Sequence, residues 1–338
     1  MKQDMWITGK RAFVSGGTGS FGHFIVRRLL DLDVAEVRIL SRDEKKHYDM
    51  RHHYPNEPRI KFITGDIRDE RRVRESVHGC DVVFQAAALK HVYNCEEHPY
   101  EAVMTNIIGA QNVITAAMDL GVERLITVST DKAVKPVNVM GMSKAIQERL
   151  VIACNRWVGS RRTIACCVRY GNVMSSRGSA IPFFRDLVAR RKPLTITHPE
   201  MTRFLLTLND AIDLVLFALE NMKGGETFIK KAPAVKIYDL ARVIATQAQA
   251  PFEPVIIGML PGEKIHEILI TEEELPRAAD LGSYYVVQPH WVKCASPRMG
   301  EEYSSDQNLV TSDEEIVQLL KKSDDEFSKL GVQAFFQT

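Results

Sequence analysis

Short apolar runs alternate with longer segments of helical period over the first half of the chain. The short runs are rich in β-branched or aromatic residues, as buried strands are: RAFVS, EVRIL, IKFIT, DVVFQ, RLITVS and IACCVRY. Between them lie segments of helical character, which we expect to begin near Ser20, Asp43, Asp69, His98 and Val139. Parallel strands need crossover connections, so this alternation predicts an α/β fold with a doubly wound parallel sheet, the Rossmann type.

The second half of the chain has a looser pattern. After about residue 175, prolines separate shorter elements, and helical spacing recurs near residues 209–222 and 237–248. Near the end, Ser312 and Glu315 have the spacing of a capping box, which predicts a final helix. We therefore predict a first domain over residues 1–175 and a smaller α/β lobe over residues 176–338, interleaved with the end of the sheet.

Composition and charge exclude several classes of function. The 338 residues include 44 Lys and Arg against 43 Asp and Glu, and a net charge of +1 gives no basic surface for nucleic acid or an anionic membrane. No apolar run reaches the roughly 18 residues of a membrane span, and the N-terminal residues lack the apolar stretch of a secretory signal. The six cysteines include no C-x-x-C pair, which favours reduced thiols in a cytoplasmic protein without a metal site.

A glycine-rich turn follows the first predicted strand. Gly16, Gly19 and Gly22 lie between RAFVS and a segment of helical spacing. Glycines at these places allow a tight turn and a close approach of the backbone to a pyrophosphate, and the free N–H groups of the helix start bind phosphate. An ordinary helix-entry turn is the alternative. The agreement of strand, spacing and helix favours a nucleotide-binding site.

Charged residues follow the second and third predicted strands. Ser41 and Arg42, with Lys45 or Lys46, suit the 2′-phosphate of NADP, whereas a carboxylate at this place would suit the 2′-hydroxyl of NAD. A solvated helix start is the alternative for these basic residues. Asp66 is placed to meet the adenine amino group, or it is an ordinary turn aspartate. We predict NADP as the cofactor, with NAD less favoured.

Small residues follow the fourth predicted strand. Ala86, Ala87 and Ala88 allow the chain to pass close to a ribose and a nicotinamide, and Lys90 and His91 come next, over the predicted cleft. Tight packing without a ligand is the alternative. After a fourth strand in this arrangement, we interpret the alanines as the floor of the cofactor site.

The fifth predicted strand and the helix after it carry the candidate catalytic residues. In dehydrogenases of this layout, a hydroxyl at the strand end and a Tyr-x-x-x-Lys pattern on the helix meet at the reacting carbinol. Here Met140 holds the tyrosine position and Lys144 the lysine position, and a thioether cannot exchange a proton. Asp131 and Lys132 follow Thr130 and supply an acid and a base, which suits proton removal beside a carbonyl with loss of a hydroxyl group. A solvated turn is the alternative.

Nine motifs together resemble one group of enzymes, in this order along the chain: GGTGSFG, SRDEKK, GDIRD, AAALKH, STDKA, MGMSKA, RYGNVMSSRGS, MTRF and PGEK. Over roughly residues 8 to 320, the chain resembles the extended short-chain dehydrogenase/reductase superfamily. Within it, the chain is similar to UDP-N-acetylglucosamine 4,6-dehydratases of bacterial surface-polysaccharide pathways. Methionine at the tyrosine position resembles the capsule-type branch, in which some relatives invert C5 and others retain it.

The resemblance implies a role for each of these residues. The catalytic set is Thr130, Asp131, Lys132, Met140 and Lys144. The NADP-binding set is Gly16, Thr18, Gly19, Ser20, Phe21, Gly22, Ser41, Arg42, Lys45, Asp66, Ile67, Ala86, Ala87, Ala88, Lys90, Lys144, Tyr170 and Val173. The UDP-sugar would be bound by Lys90, His91, Asn172, Arg177, Gly178, Ser179, Ala180, Arg203, Pro261, Gly262 and Glu263. The guanidinium groups of Arg177 and Arg203 also suit a diphosphate on chemical grounds, and surface charge that serves solubility is the alternative.

The reaction implied by the resemblance is redox-neutral. Hydride from C4 of the sugar is stored on tightly bound NADP and returned to C6, while Lys132 removes the C5 proton and Asp131 protonates the departing C6 hydroxyl. The group that takes the C4 hydroxyl proton stays open between Asp131, Lys132 and an ordered water. The product would be a UDP-4-keto-6-deoxy sugar for a surface glycan. Relatives form dimers and larger assemblies, which implies a homodimer or a higher homo-oligomer.

Two other functions are alternatives on the same scaffold. A UDP-sugar 4-epimerase needs no acid–base pair for C5 and C6 and usually needs the tyrosine that Met140 replaces. A non-catalytic NADP-binding regulator would have no use for Asp131, Lys132, Lys144 and the whole sugar-binding set. The sequence therefore predicts a lyase, a nucleotide-sugar 4,6-dehydratase.

Overall fold

The computed structural model describes residues 5–157, 162–174, 176, 178–293 and 300–330. The strands are β1 (Arg11–Ser15), β2 (Glu36–Ser41), β3 (Ile60–Thr64), β4 (Val82–Gln85), β5 (Arg124–Val128), β6 (Ile164–Arg169), β7 (Asn172–Val173), β8 (Thr195–Ile196), β9 (Thr202–Leu206), β10 (Thr227–Lys230), β11 (Ala234–Lys236), β12 (Val255–Ile256), β13 (Ile268–Ile270), β14 (Ala278–Asp280), β15 (Tyr284–Val287) and β16 (Tyr303–Ser304). The α-helices are α1 (Ser20–Asp31), α2 (Glu44–His53), α3 (Glu70–Val77), α4 (Val92–Glu97), α5 (Pro99–Ala102), α6 (Ala110–Asp119), α7 (Val139–Cys154), α8 (Ala180–Ala189), α9 (Leu208–Asn221), α10 (Ile237–Gln247) and α11 (Asp313–Leu330). A π-helix covers Val103–Gly109, and 3-10 helices cover Asp131–Ala133, Leu275–Arg277 and Asp306–Asn308.

The main sheet has the strand order β14-β15-β10-β6-β5-β4-β1-β2-β3. The strands from β10 to β3 are parallel, whereas β15 and β14 run antiparallel at one edge. Each strand predicted in the first half is present, as β1 to β6. The structure therefore confirms the predicted α/β fold with a doubly wound parallel sheet.

The predicted helix starts agree with the structure to within one residue. α1 begins at Ser20 and α7 at Val139, and the side chains of Asp43 and Asp69 cap α2 and α3. The helix expected near His98 is present but divided into α5, the π-helix and α6. α9 and α10 occupy the segments predicted for them. The prediction did not include α4 or α8.

Helices cover both faces of the main sheet and bury two apolar cores. One core packs α1 and α9 against the sheet, with Ile25 and Leu219 among its buried residues. The other packs α3 and α6 on the opposite face, with Val73 and Val113. Ligands bind outside the carboxyl ends of parallel strands, so the loops after β1, β4, β5 and β6 define where a site lies.

The second half of the chain contributes to the main sheet and also builds a core of its own. β10, β15 and β14 extend the parallel strands. A third apolar core lies between α8, α10, α11 and β9, and three small sheets, β11-β9-β7, β12-β8 and β13-β16, accompany it. The division of the chain at residue 175 stays a prediction.

Candidate active site

The glycine turn after β1 is packed too closely for side chains. Gly16 has φ +68°, and a Cβ added to it would lie 2.9 Å from Ala87 Cα. A Cβ on Gly22 would lie 2.1 Å from the carbonyl oxygen of Gly17. The first turn of α1 has neither a capping side chain nor an acidic residue, so its N–H groups are open to a ligand. This turn fits the pyrophosphate of a dinucleotide.

The ends of β2 and β3 bring together the residues predicted to contact the adenosine half of NADP. Thr18 Oγ1 donates to Ser41 Oγ at 2.7 Å. The Arg42 side chain is 53% exposed and lies 3.3 Å from Asp66, which also pairs with Arg68 at 2.7 Å. Burial would raise the pKa of Asp66, but the hydrogen bonds and charge of Arg68 lower it. Arg42 is open enough to meet a phosphate, although it shares its charge with Asp66.

The remaining predicted cofactor residues are spread over α1, α2, the loop after β3 and the segment after β6. Ser20 and Phe21 form the first turn of α1, Lys45 pairs with Asp49 at 2.6 Å, Ile67 packs against Gly109, Val173 is half-buried, and Tyr170 is buried, which raises its pKa.

The loop after β4 is fixed from two sides. Ser15 Oγ accepts hydrogen bonds from the amides of Ala86 at 3.1 Å and Ala87 at 3.2 Å. From the other side, the fully buried Asn106 accepts from the Leu89 amide at 2.7 Å and donates to the Leu89 carbonyl at 3.0 Å. Asn106 lies in the π-helix, a rare element often found near functional sites. Asn106 was not predicted from the sequence, where its signal is an amide within an apolar helical segment.

The turn after β5 holds a buried carboxylate. Asp131 is 0% exposed, and its Oδ1 accepts hydrogen bonds from Thr130 Oγ1 at 2.9 Å and Lys132 Nζ at 3.1 Å. Its Oδ2 has no hydrogen-bond partner among the described residues and faces Gly171, where an added Cβ would approach it to 3.3 Å. Burial raises the pKa of Asp131, against the opposing charge of Lys132. Asp131 is therefore an acid candidate with one free oxygen.

A second carboxylate, Glu267, lies beside Lys132 and was missed by the sequence analysis. Lys132 Nζ is 3.2 Å from Glu267 Oε1 and 3.4 Å from Asn172 Oδ1. Burial by itself would lower the pKa of Lys132, but the charges of Asp131 and Glu267 raise it. Lys132 is thus an ammonium group held between two carboxylates.

Glu267 also faces two further cations. Its Oε1 lies 3.9 Å from Arg203 Nε, and its Oε2 lies 3.3 Å from Lys264 Nζ. The residue is 2% exposed, and burial would raise its pKa, but Lys132, Arg203 and Lys264 together lower it. Glu267 therefore links the predicted diphosphate-binding Arg203 to the catalytic turn.

Met140 and Lys144 lie on one buried face of α7, in different surroundings. Met140 packs beside Cys95 in a small apolar cluster, so no proton-exchanging group occupies the tyrosine position. Lys144 is 6% exposed and donates to the carbonyl oxygen of Val128 at 2.5 Å and to the side chain of Gln147. Burial lowers the pKa of Lys144 to about 8.

Gly141 allows α7 to contact the catalytic turn. A Cβ added at Gly141 would lie 2.2 Å from the carbonyl oxygen of Lys132. Asn138 caps the helix by accepting from the Gly141 amide at 2.7 Å, and its Nδ2 donates to the Gly262 carbonyl at 2.7 Å. The Pro261–Glu263 turn is therefore tied to the start of α7.

A cavity of about 210 Å³ lies next to this cluster. Its lining includes five residues predicted to bind the sugar nucleotide, namely Asn172, Ser179, Ala180, Arg203 and Glu263, together with apolar side chains such as Phe184 and Met201. Asn172 and Arg203 connect the cavity to Lys132 and Glu267.

Three more predicted sugar-binding residues meet at the loop after β4. Gly178 has φ +73°, and a Cβ added to it would lie 2.6 Å from His91 Cε1. Lys90 precedes His91 and is exposed. The segments 178–180 and 86–91, far apart in sequence, therefore form one surface. Arg177 lies outside the described residues.

The described residues contain no group of three or more His, Cys, Asp or Glu side chains placed to hold a metal ion. Cys80, Cys95, Cys154, Cys166 and Cys167 are free and buried. Within the part of the chain that the structure covers, no helix combines the length and apolar character needed to cross a membrane.

The strand order of the main sheet and the glycine turn after β1 are those of a doubly wound fold of the Rossmann type. Residues 12–289 match the model of a family described as polysaccharide biosynthesis protein, and the chain belongs to that family.

Known proteins similar to this chain include an enzyme named UDP-glucose 4-epimerase from Rickettsia felis, which is 47% identical over 280 residues, 82% of each chain. The crystal structure of Pen from Bacillus thuringiensis aligns with a TM-score of 0.90 and 36% identity, covering 95% of this chain and 99% of that one. A dTDP-glucose 4,6-dehydratase from Streptomyces venezuelae, solved with NAD bound, aligns with a TM-score of 0.68 and 22% identity over 75% of this chain and 86% of that one. This last likeness concerns the fold alone.

Proposed function

We propose that this chain is a lyase that catalyses the NADP-dependent 4,6-dehydration of UDP-N-acetylglucosamine, giving a UDP-4-keto-6-deoxy-N-acetylhexosamine with C5 retained or inverted. The observation that supports this most is the pair formed by the buried Asp131 and the half-buried Lys132 beside the cavity. Loss of water across C5 and C6 needs one acid and one base. Membership of a polysaccharide biosynthesis family agrees with a product used for a surface glycan.

The cofactor would lie at the carboxyl ends of the parallel strands. The glycine turn and the open start of α1 would hold its pyrophosphate, Ser41 and Arg42 its 2′-phosphate, and Lys144 its nicotinamide ribose. When bound, the nicotinamide supplies a reversible acceptor for the hydride from C4.

A single proton transfer prepares Asp131 and Lys132 for dehydration. Moving a proton from Lys132 Nζ to Asp131 Oδ1, 3.1 Å away, turns the ion pair into an amine and a carboxylic acid. The amine then takes the C5 proton, and the acid protonates the departing C6 hydroxyl, which leaves as water. After this elimination Lys132 is an ammonium and Asp131 a carboxylate. Lys132 would then give a proton to C5 as the hydride reaches C6, and the proton released from the C4 hydroxyl would restore the ammonium and the resting pair. Burial of Asp131 favours its neutral form.

A UDP-sugar 4-epimerase is the second candidate, and the names of the similar Rickettsia proteins favour it. Epimerisation moves one proton and one hydride at C4 and leaves the C6 hydroxyl in place. Epimerisation would therefore give Asp131 no departing hydroxyl group to protonate. Met140 also offers no hydroxyl to the C4 carbinol, because its side chain lies in an apolar cluster.

The two candidates give different products from one incubation. Purified protein is mixed with UDP-N-acetylglucosamine in deuterated water, without added cofactor, and the sugar is followed by NMR; a parallel sample contains UDP-glucose. A 4-keto-6-deoxy product with deuterium at C5 is the result expected for the dehydratase, and the ring couplings assign C5. A galacto product that keeps its C6 hydroxyl contradicts the proposal and supports the epimerase.

An unchanged sugar, even with NADP added, contradicts both enzymatic candidates for these two substrates. A titration with UDP-sugar then distinguishes a protein that binds without reacting from one that takes another nucleotide sugar.

A further inference from the structure

We propose that Glu267 is a positioning residue that holds Lys132 for proton transfer and competes with the substrate's diphosphate for Arg203. This inference rests on the proposed function, in which Lys132 moves a proton. Lys132 Nζ and Arg203 Nε share one carboxylate oxygen, Glu267 Oε1, at 3.2 Å and 3.9 Å. Glu267 therefore connects the catalytic turn to Arg203 in the wall of the cavity that would bind the nucleotide.

Glu267 is held firmly by its own backbone. Its amide donates to Ser305 Oγ at 2.9 Å, and the Ser305 amide donates to the Glu267 carbonyl at 2.8 Å. The Ser305 hydroxyl also contacts Thr202 Oγ1 at 2.6 Å, and both Ser305 and Thr202 are buried. Since β13 follows Glu267 directly and pairs with β16, both strands help to place the carboxylate.

The contacts of Arg203 suit a competition between Glu267 and a diphosphate for its guanidinium group. Its Nη1 donates to the carbonyl oxygens of Thr202 at 2.8 Å and Ile265 at 3.2 Å, which fixes the side chain along the cavity. The separation from Glu267 is longer than a hydrogen bond, so charge attraction alone holds this contact. A diphosphate would approach Arg203 against the negative charge of Glu267. Removing that charge should therefore strengthen the binding of UDP.

The charged groups around Lys132 and Glu267 are Asp131, Arg203 and Lys264. Replacing Glu267 by glutamine keeps the shape and removes one negative charge from this group. Without that charge, the pKa values of Lys132 and of Asp131 both fall. The limb of the pH profile that requires an unprotonated Lys132 and the limb that requires a protonated Asp131 then both move to lower pH.

The test compares the wild-type protein with E267Q, E267D and E274Q. We expect E267Q to lose roughly 10-fold to 100-fold in kcat from the lost positioning, to shift its kcat profile about one pH unit lower, and to bind UDP about 5-fold more tightly. E267D keeps the charge, so its profile should keep the wild-type position while kcat falls.

E274Q is the matched control, because Glu274 is also a buried carboxylate of the second half and pairs with Arg169 at 2.9 Å, whereas the ion pairs of Lys132 are with Asp131 and Glu267. It should lower Tm without moving the pH profile or the UDP affinity. The proposal is overturned if the E267Q profile stays in place or if E267Q binds UDP no more tightly than wild type. If wild type yields the epimer, the proposed dehydration fails, and the UDP titration, which needs no turnover, still decides whether Glu267 competes for Arg203.

Discussion

At the scale of single residues, the sequence located the groups at the ends of the parallel strands but not their partners. Asp131, Lys132 and Lys144 follow β5 or lie on α7, so topology alone brings them to one edge. Glu267 reaches Lys132 only through folding of the second half, and no local pattern encodes that contact. The apolar surroundings of Met140 could not be predicted either, because they depend on α4, a helix that was not predicted from the sequence.

Substitution of Asp131 by asparagine tests the acid. The amide keeps the size of the side chain but cannot donate the proton that the C6 hydroxyl needs, so we expect kcat to fall by about 100-fold or more. The affinity for UDP should stay near the wild-type value, since Asp131 does not line the cavity. Steady-state kinetics and a UDP titration check both parts. A D131N enzyme with near wild-type kcat would remove Asp131 from the mechanism.

The lowered pKa of Lys144 predicts how the free energy of unfolding depends on pH. Burial lowers the pKa of Lys144 to about 8 in the folded protein, whereas an unfolded lysine has a pKa of about 10.4. Between these values the unfolded state binds more protons, so this group makes the protein more stable as pH rises from 8 towards 10. The gain from pH 7 to pH 9.5 should be about 2 kcal/mol.

Denaturant unfolding of wild type and K144M at both pH values checks this expectation. K144M should lack this part of the increase and should also lose cofactor binding. Equal increases in the two proteins would show that Lys144 is not the group responsible.

At the scale of elements, the long helices and buried strands followed from periodicity, whereas short or interrupted helices did not. Pro182 suggested a break in the sequence, yet it lies in the first turn of α8, where a missing N–H is tolerated. The π-helix has no distinct sequence period, so the prediction treated it as part of one helix. The two-stranded β13-β16 sheet has strands of three and two residues, too short for a pattern.

The contact between α7 and the catalytic turn can be tested with G141A. Alanine in place of glycine inside a helix usually stabilises it by about 1 kcal/mol. Here the new Cβ would lie 2.2 Å from the Lys132 carbonyl, so we expect a lower Tm and a large loss of kcat as the turn moves. NADP affinity should change less, because the glycine turn after β1 is distant in sequence and separately packed. A stabilised, fully active G141A would contradict this packing.

At the scale of the whole molecule, the sequence predicted the α/β architecture. Its hydrophobic pattern did not predict which strands of the second half join the main sheet. The exposed apolar side chains are informative at this scale. Five of them belong to helices that contact one another, from α4 through the π-helix to α7, namely Tyr93, Tyr100, Ile108, Met142 and Ile146. Exposed apolar side chains on neighbouring helices favour a contact site, which agrees with the homo-oligomer predicted from the sequence.

The oligomer is tested with the double substitution M142E and I146E on the exposed face of α7. Two buried carboxylates would oppose association, so the variant should have a smaller mass than wild type by light scattering and an unchanged circular dichroism spectrum. A wild-type monomer at micromolar concentration would contradict the oligomer, and an unchanged assembly in the variant would place its contact elsewhere.

The support of Lys132 by Glu267 has a consequence for how such proteins diversify. One half of the chain carries the lysine, and the other half carries the carboxylate that holds it. Exchange of the second half between relatives, by recombination or by design, would change the carboxylate beside the lysine as well as the residues that select the sugar. The reactivity of the lysine would therefore change together with the sugar preference. Chimaeras should therefore differ from their parent enzymes in kcat on a shared substrate. Neither half can be exchanged without an effect on the rate.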